Sequence, residues 1–137
     1  IAGRKRATIS AMPTEYAEAA AFRAELRRFL RRSEECARTH RLTPQQHMLL
    51  LMIAGADART STVSELVDRL QLTQSAVTEL VQRAEEADLV TRRPSASDRR
   101  VVELRLTREG EARLAGVHAD LGPERRQLKE IVDRLSD

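Results

Sequence analysis

The run RRPSASDRRVVELRLT, Arg92 to Thr107, sets two arginine pairs around a small polar stretch. A guanidinium offers five N–H donors in a planar fork, which suits phosphates, guanine edges and carboxylates alike. Arginine dominates the basic side of the whole chain, with Lys5 and Lys129 the only lysines. A second set of groups lies upstream, where Gln74, Ser75, Thr78, Gln82 and Arg83 fall on or near the outer face of a helical pattern. The amides and hydroxyls among them both donate and accept, as reading base edges requires, although a neutral polar surface has the same composition. A third set is Cys36 and His40, four residues apart, a spacing that could grip a metal with His47 or His118 adding a ligand. Against this, Cys36 falls on an apolar seam beside Ser33, where a thiol is ordinarily buried and inert.

Composition narrows the choice. A chain of 137 residues fits one compact domain. Its net charge of +3 discriminates little. The aromatics are Tyr16, Phe22 and Phe29, all early, so the stacking platforms of single-strand binders are missing. The lone cysteine forms no disulfide within the chain and fits a reducing, cytoplasmic setting. No apolar run approaches the roughly 20 residues of a membrane span, and no secretory segment follows the basic opening GRKR. The chain opens on Ile1 rather than Met, which leaves its native N-terminus open. The helical carboxylates are interleaved with arginines, the Ser and Thr residues serve as caps, and no phosphate-cradling Gly loop is present. Neither an enzyme nor a bound cofactor or metal is expected.

The elements that must position these groups read as mainly helical with one small β-hairpin. Residues 1–13 read as a flexible basic arm. From residue 14 to 41, Phe22, Leu26, Phe29, Ser33 and Cys36 recur at alternating four and three spacing, the pattern of helix-on-helix packing and of a dimer arm. Thr43, Pro44 and Gln46 form a capping box ahead of a helix expected to lie in the core, since Met48 to Ala54 is apolar nearly all round. Thr62 and Glu65 repeat the box, and only Gln71 and Leu72 separate that helix from the next, which Thr73 caps. So tight a joint is a helix-turn-helix. The strand-like LVTRR and VVELRL follow, joined through PSASD, with Val102, Leu104 and Leu106 expected on one face. A hairpin directly after a helix-turn-helix is the wing of a winged helix. Helical periodicity resumes at Thr107, breaks at Gly122-Pro123, and returns through Leu128, Ile131 and Leu135.

On LTPQQ, on VSELVDRLQLTQSAVTELVQRAEEADLV and on SDRRVVELRLTREG, the chain resembles the MarR family of bacterial winged-helix transcription regulators over roughly residues 42–114. The resemblance implies a winged helix-turn-helix region at 42–106, with a recognition helix at 73–87 and a wing at 89–106, flanked by dimerisation helices at 14–41 and 107–137. It implies a homodimer, interlocked through residues such as Phe22, Leu26, Leu128, Ile131 and Leu135. The expected partner is double-stranded DNA bearing a pseudo-palindromic operator. Thr73, Gln74, Ser75, Thr78, Gln82 and Arg83 would enter the major groove. Arg99 and Arg100 would serve the wing, Arg100 in the minor groove with Asp98 orienting it. The family most often represses, and a small anionic or phenolic effector bound between dimer helices and winged domain would relieve repression. A redox- or metal-sensing regulator acting through Cys36 and His40, and a protein-interaction module, stand as alternatives. Two positions depart from the pattern. Glu79 stands where relatives commonly carry Arg, and pairing with Arg83 is favoured over accepting from cytosine N4. Asp88 replaces a helix-ending Gly, a position that needs the left-handed conformation.

Overall fold

Three threonines start the central helices of the computed structural model, which describes the backbone of residues 2–136 and the side chains of Thr14–Ser136. Thr43 caps α2 (Pro44–Ala54), Thr62 caps α3 (Val63–Leu70) and Thr73 caps α4 (Gln74–Glu86), each hydroxyl accepting from the backbone N–H three residues on. Gln46 and Glu65 reach back to close the first two into reciprocal boxes. Before them runs α1 (Ala2–Thr39); after them come β1 (Val90–Pro94), β2 (Val102–Leu106), α5 (Arg108–Asp120) and α6 (Gly122–Ser136).

Helix α1 therefore takes in residues 2–13, where an arm is expected from the charge pattern. Ala2, Arg4, Lys5, Arg6, Ala7 and Ala11 are all good helix formers, and a basic run is not in itself a coil signal. The chain divides into two compact units, one of residues 1–33 with 121–137 and the other of residues 34–120. The second packs through its capped helices and the hairpin, and in the first α1 and α6 share the lining of a groove.

In the second unit Leu49, Leu50 and Ile53 of α2, Leu66 of α3, Val77 and Val81 of α4, Leu89, Leu104 and Val117 are fully buried. Helix α2 is not apolar-buried all round as its composition suggests, for Met48 and Leu51 remain 39% and 38% exposed. A helix packed by neighbours on one side leaves the opposite stripe in solvent however apolar it is. The α3–α4 joint turns on Gln71 in the left-handed region at φ 55°. Asp88 adopts the same region at φ 58°, the conformation required where Gly is commoner.

The hairpin is antiparallel, with Val90 opposite Leu106, Arg92 opposite Leu104 and Pro94 opposite Val102. A bridge ties it to the body: Ser61 N–H donates to the Leu104 carbonyl at 3.1 Å and Leu104 N–H to the Ser61 carbonyl at 2.7 Å. Leu104 and Leu106 are buried, but Val102, expected with them, is 44% exposed. It pairs with the exposed Pro94 at the far end of the strands.

In the first unit α1 and α6 jointly line a groove that includes Phe22, Glu25, Ile131 and Leu135, and Arg32 Nε donates to Glu124 Oε1 at 3.2 Å. Phe22, Leu26, Leu128 and Ile131 are half-buried, while Tyr16, Leu30, Val132 and Leu135 stay exposed.

Candidate nucleic-acid interface

Helix α4 is oriented by its own apolar stripe. Val77, Leu80, Val81 and Ala84 are buried, which forces Gln74, Ser75, Thr78, Glu79, Gln82 and Arg83 into solvent. Thr73 is exposed too, its hydroxyl held by Ala76 N–H at 3.1 Å. The outer face is thus a continuous polar surface of amides and hydroxyls with one ion pair, Arg83 Nη2 to Glu79 Oε1 at 2.7 Å.

The wing loop is built around Asp98. Its Oδ1 accepts from Arg100 N–H at 3.0 Å and from Arg100 Nε at 3.5 Å. Its carbonyl accepts from Val101 N–H at 3.0 Å, and Ser95 N–H closes the loop on the Val101 carbonyl at 2.8 Å. Ser95 is buried and shares a 3.0 Å hydroxyl contact with Ser97. The result holds one end of Arg100 while its side chain is 93% exposed, and Arg99 beside it is exposed as well. Such a guanidinium, aimed outward and lightly held, is available to an anionic surface.

Arg92 has another role. Its Nε donates to Glu85 Oε1 at 2.6 Å, so the base of the wing is tied to the last turn of α4. Nothing in the sequence pattern pairs these two, because helical periodicity ends between them. Arg93 is exposed.

The joint behind the wing explains the run LTREG. Thr107 Oγ1 donates to the Asp88 carbonyl at 2.7 Å and accepts from Gly110 N–H at 3.0 Å. Thr107 N–H donates to the Leu89 carbonyl at 3.0 Å. Gly110 packs so closely on that carbonyl that no side chain fits there.

The cysteine and the histidines lie in the second unit, outside the polar face of α4 and the wing. Cys36 is 2% exposed. His40 Nε2 lies 2.7 Å from Asp120 Oδ2, and its ring packs on Gly116, where a Cβ would stand 2.4 Å from it. Burial pushes the His47 imidazole below its ordinary value, with the nearby His118 adding to the effect. Among the described residues no three His, Cys, Asp or Glu side chains gather as metal ligands. None of the described helices is long and apolar enough to cross a membrane.

A cavity of about 520 Å³ opens in the second unit, lined by Leu51, Ala54, Arg59, Arg105, Leu114 and His118 among others. Its lining comes from four separated segments, so no local motif announces it.

These features define a winged helix-turn-helix: a capped helix pair, an outward polar second helix and a hairpin tied to its end. The model of the MarR family matches residues 40–101, the stretch from the end of the first helical segment to the wing loop. The HTH-type transcriptional repressor MdtR of Bacillus subtilis (strain 168) is 40% identical over 79 residues, 57% of this chain and 49% of that one. The matched stretch thus spans about half the length of that repressor. Among solved structures, the YusO protein of Bacillus subtilis superposes with a TM-score of 0.64 at 24% identity, covering 90% of this chain and 95% of that one. A mutant MarR from E. coli complexed with operator DNA gives a TM-score of 0.65 at 24% identity, over 82% of this chain and 79% of that one. These likenesses show the shared fold.

Proposed function

We propose that the chain is a homodimeric, sequence-specific DNA-binding regulator of transcription, a repressor working in the cytoplasm. The observation that carries this reading is the pairing of an outward polar α4 with a wing that presents Arg100 from an Asp98 anchor. Gln74, Ser75, Thr78, Gln82 and Arg83 offer the donors and acceptors of major-groove readout. Arg100, with Arg99 beside it, suits a narrow minor groove, where negative potential is concentrated and attracts a guanidinium without a base-specific bond. A second copy would supply the other half of a near-palindromic site, its recognition helix about one turn away, roughly 34 Å. The exposed Leu30, Val132 and Leu135 of the first unit offer apolar surface for that pairing. The relative MdtR is a repressor, and E. coli MarR has been seen with operator DNA, which supports the same role here.

Control falls to a small anionic or phenolic molecule. The cavity beside Arg59 and Arg105 is of a size for it, with Leu51, Ala54 and Leu114 for its apolar part. A ligand acts by favouring a dimer whose recognition helices are wrongly spaced.

The test is fluorescence anisotropy on DNA from directly upstream of the chain's own gene, with a scrambled duplex beside it over a salt series. Preference for the upstream DNA by about a thousandfold supports the reading. Equal binding of both duplexes, fading together with salt, sinks it for that DNA.

A further inference from the structure

We propose that Glu79 is a base-reading residue, taking the amino group of a cytosine in the major groove, with Arg83 positioning it. The inference rests on α4 being the recognition helix, and adds to that surface the one residue of its face that carries a negative charge in the first three turns.

At 3.6 residues per turn, a helix whose buried stripe runs through Val77, Val81 and Ala84 turns Ser75, Glu79 and Gln82 most directly outward. Glu79 is thus at the middle of the exposed face, with Thr78 and Arg83 on its flanks. A carboxylate in that place faces phosphates on both sides of a groove, and an unscreened one would repel them. Arg83 offsets this by donating to Oε1 at 2.7 Å, which makes the pair neutral as a whole. Stability does not account for the arrangement, since both side chains are over 60% exposed and such pairs add little.

The bond also leaves something over. A carboxylate has two oxygens and about four acceptor positions. Arg83 occupies one oxygen, and Oε2 has no bond to any described residue. The free oxygen is an acceptor without a donor function. Among the base edges of the major groove, cytosine presents N4–H₂ as a donor with no acceptor beside it, whereas adenine couples its donor to the N7 acceptor. An acceptor-only group therefore favours cytosine, since at adenine it also meets the N7 lone pair, and the neighbouring amides and hydroxyls, which do both, discriminate less.

The experiment selects a site from a randomised duplex library with the full chain, then measures binding to every single-base-pair variant of that site. Glu79→Ala and Glu79→Gln are run beside the parent, each over a salt series. The expected parent site holds one C·G pair per half-site that Glu79→Ala no longer distinguishes, its preference there falling about fivefold or more. The same variant binds a scrambled duplex more tightly, with a salt slope steeper by about one, because Arg83 is released to a phosphate. Glu79→Gln, whose amide donates and accepts, admits adenine at that position. If Glu79→Ala keeps the parent's base preference at every position, Glu79 reads nothing and the proposal is overturned while the regulator reading stands. If the parent selects no site from the library, both fall together.

Discussion

A Cβ built on Gly110 would stand 2.2 Å from the carbonyl oxygen of Leu89. That oxygen already accepts from Thr107 N–H, so it cannot move aside without breaking the joint between wing and α5. Gly110→Ala is expected to destabilise the chain by about 1–3 kcal/mol, the ordinary cost of forcing extra volume into a packed site. Urea denaturation measures it, with an unchanged slope showing that the native state is otherwise kept. A variant as stable as the parent would mean that the helix start simply shifts.

Arg100 should matter more to DNA than to the fold. Its side chain is 93% exposed, so Arg100→Ala leaves the melting temperature unchanged while weakening binding to the preferred duplex by roughly 1–3 kcal/mol. Asp98→Ala acts through the same guanidinium and should lose less, because the arginine remains but is no longer held. Anisotropy titrations of the two variants order them. Equal, negligible losses would show that the wing tip does not touch DNA.

The thiol of Cys36 is expected to react with an aromatic disulfide reagent only when the chain opens. At 2% exposure it is out of reach of solvent. Labelling should be slow in buffer and fast in denaturant, and Cys36→Ser should leave any ligand response intact. Rapid labelling of the native chain would favour the oxidant-sensing alternative.

Acid should weaken the second unit through His47. Burial lowers the pKa of this imidazole in the folded chain, so as pH falls the unfolded chain takes up a proton first. Unfolding free energy then rises with pH wherever the unfolded state binds more protons. The contribution is complete above the ordinary value of 6.5 and is lost as pH drops through the lower folded value. Denaturation midpoints compared between neutral and mildly acidic buffer test this, and His47→Gln should flatten the dependence. A variant with the parent's full acid sensitivity would place the effect elsewhere.

What could be read directly from the residues was local. The caps at Thr43, Thr62 and Thr73 involve partners three residues away, and each is present. The Glu79–Arg83 pair is of the same kind, while the Asp98–Arg100 contact and the left-handed Asp88 were expected only from the family resemblance. What escaped depended on the third dimension or on weighing charge against propensity. Arg92 meets Glu85 across a change of period, and Arg59 and Arg105 reach one cavity from segments far apart in sequence. The solvent stripe of Met48 and Leu51 was hidden by a composition that looks buried from every side. The helical start of α1 was masked by its arginines, and the division into two units has no signature shorter than the whole chain.

The tie between Arg92 and Glu85 has a consequence for any DNA this chain recognises. With hairpin and helix joined at 2.6 Å, the two probes present themselves at a set separation. A recognised sequence can then drift by substitution, one letter at a time and at a graded loss. On the reading proposed above, in which α4 and the wing each enter a groove, it cannot gain or lose a letter between its two contacted stretches without putting one probe out of phase. Sites descended from a common ancestor should therefore differ in spelling and agree in length.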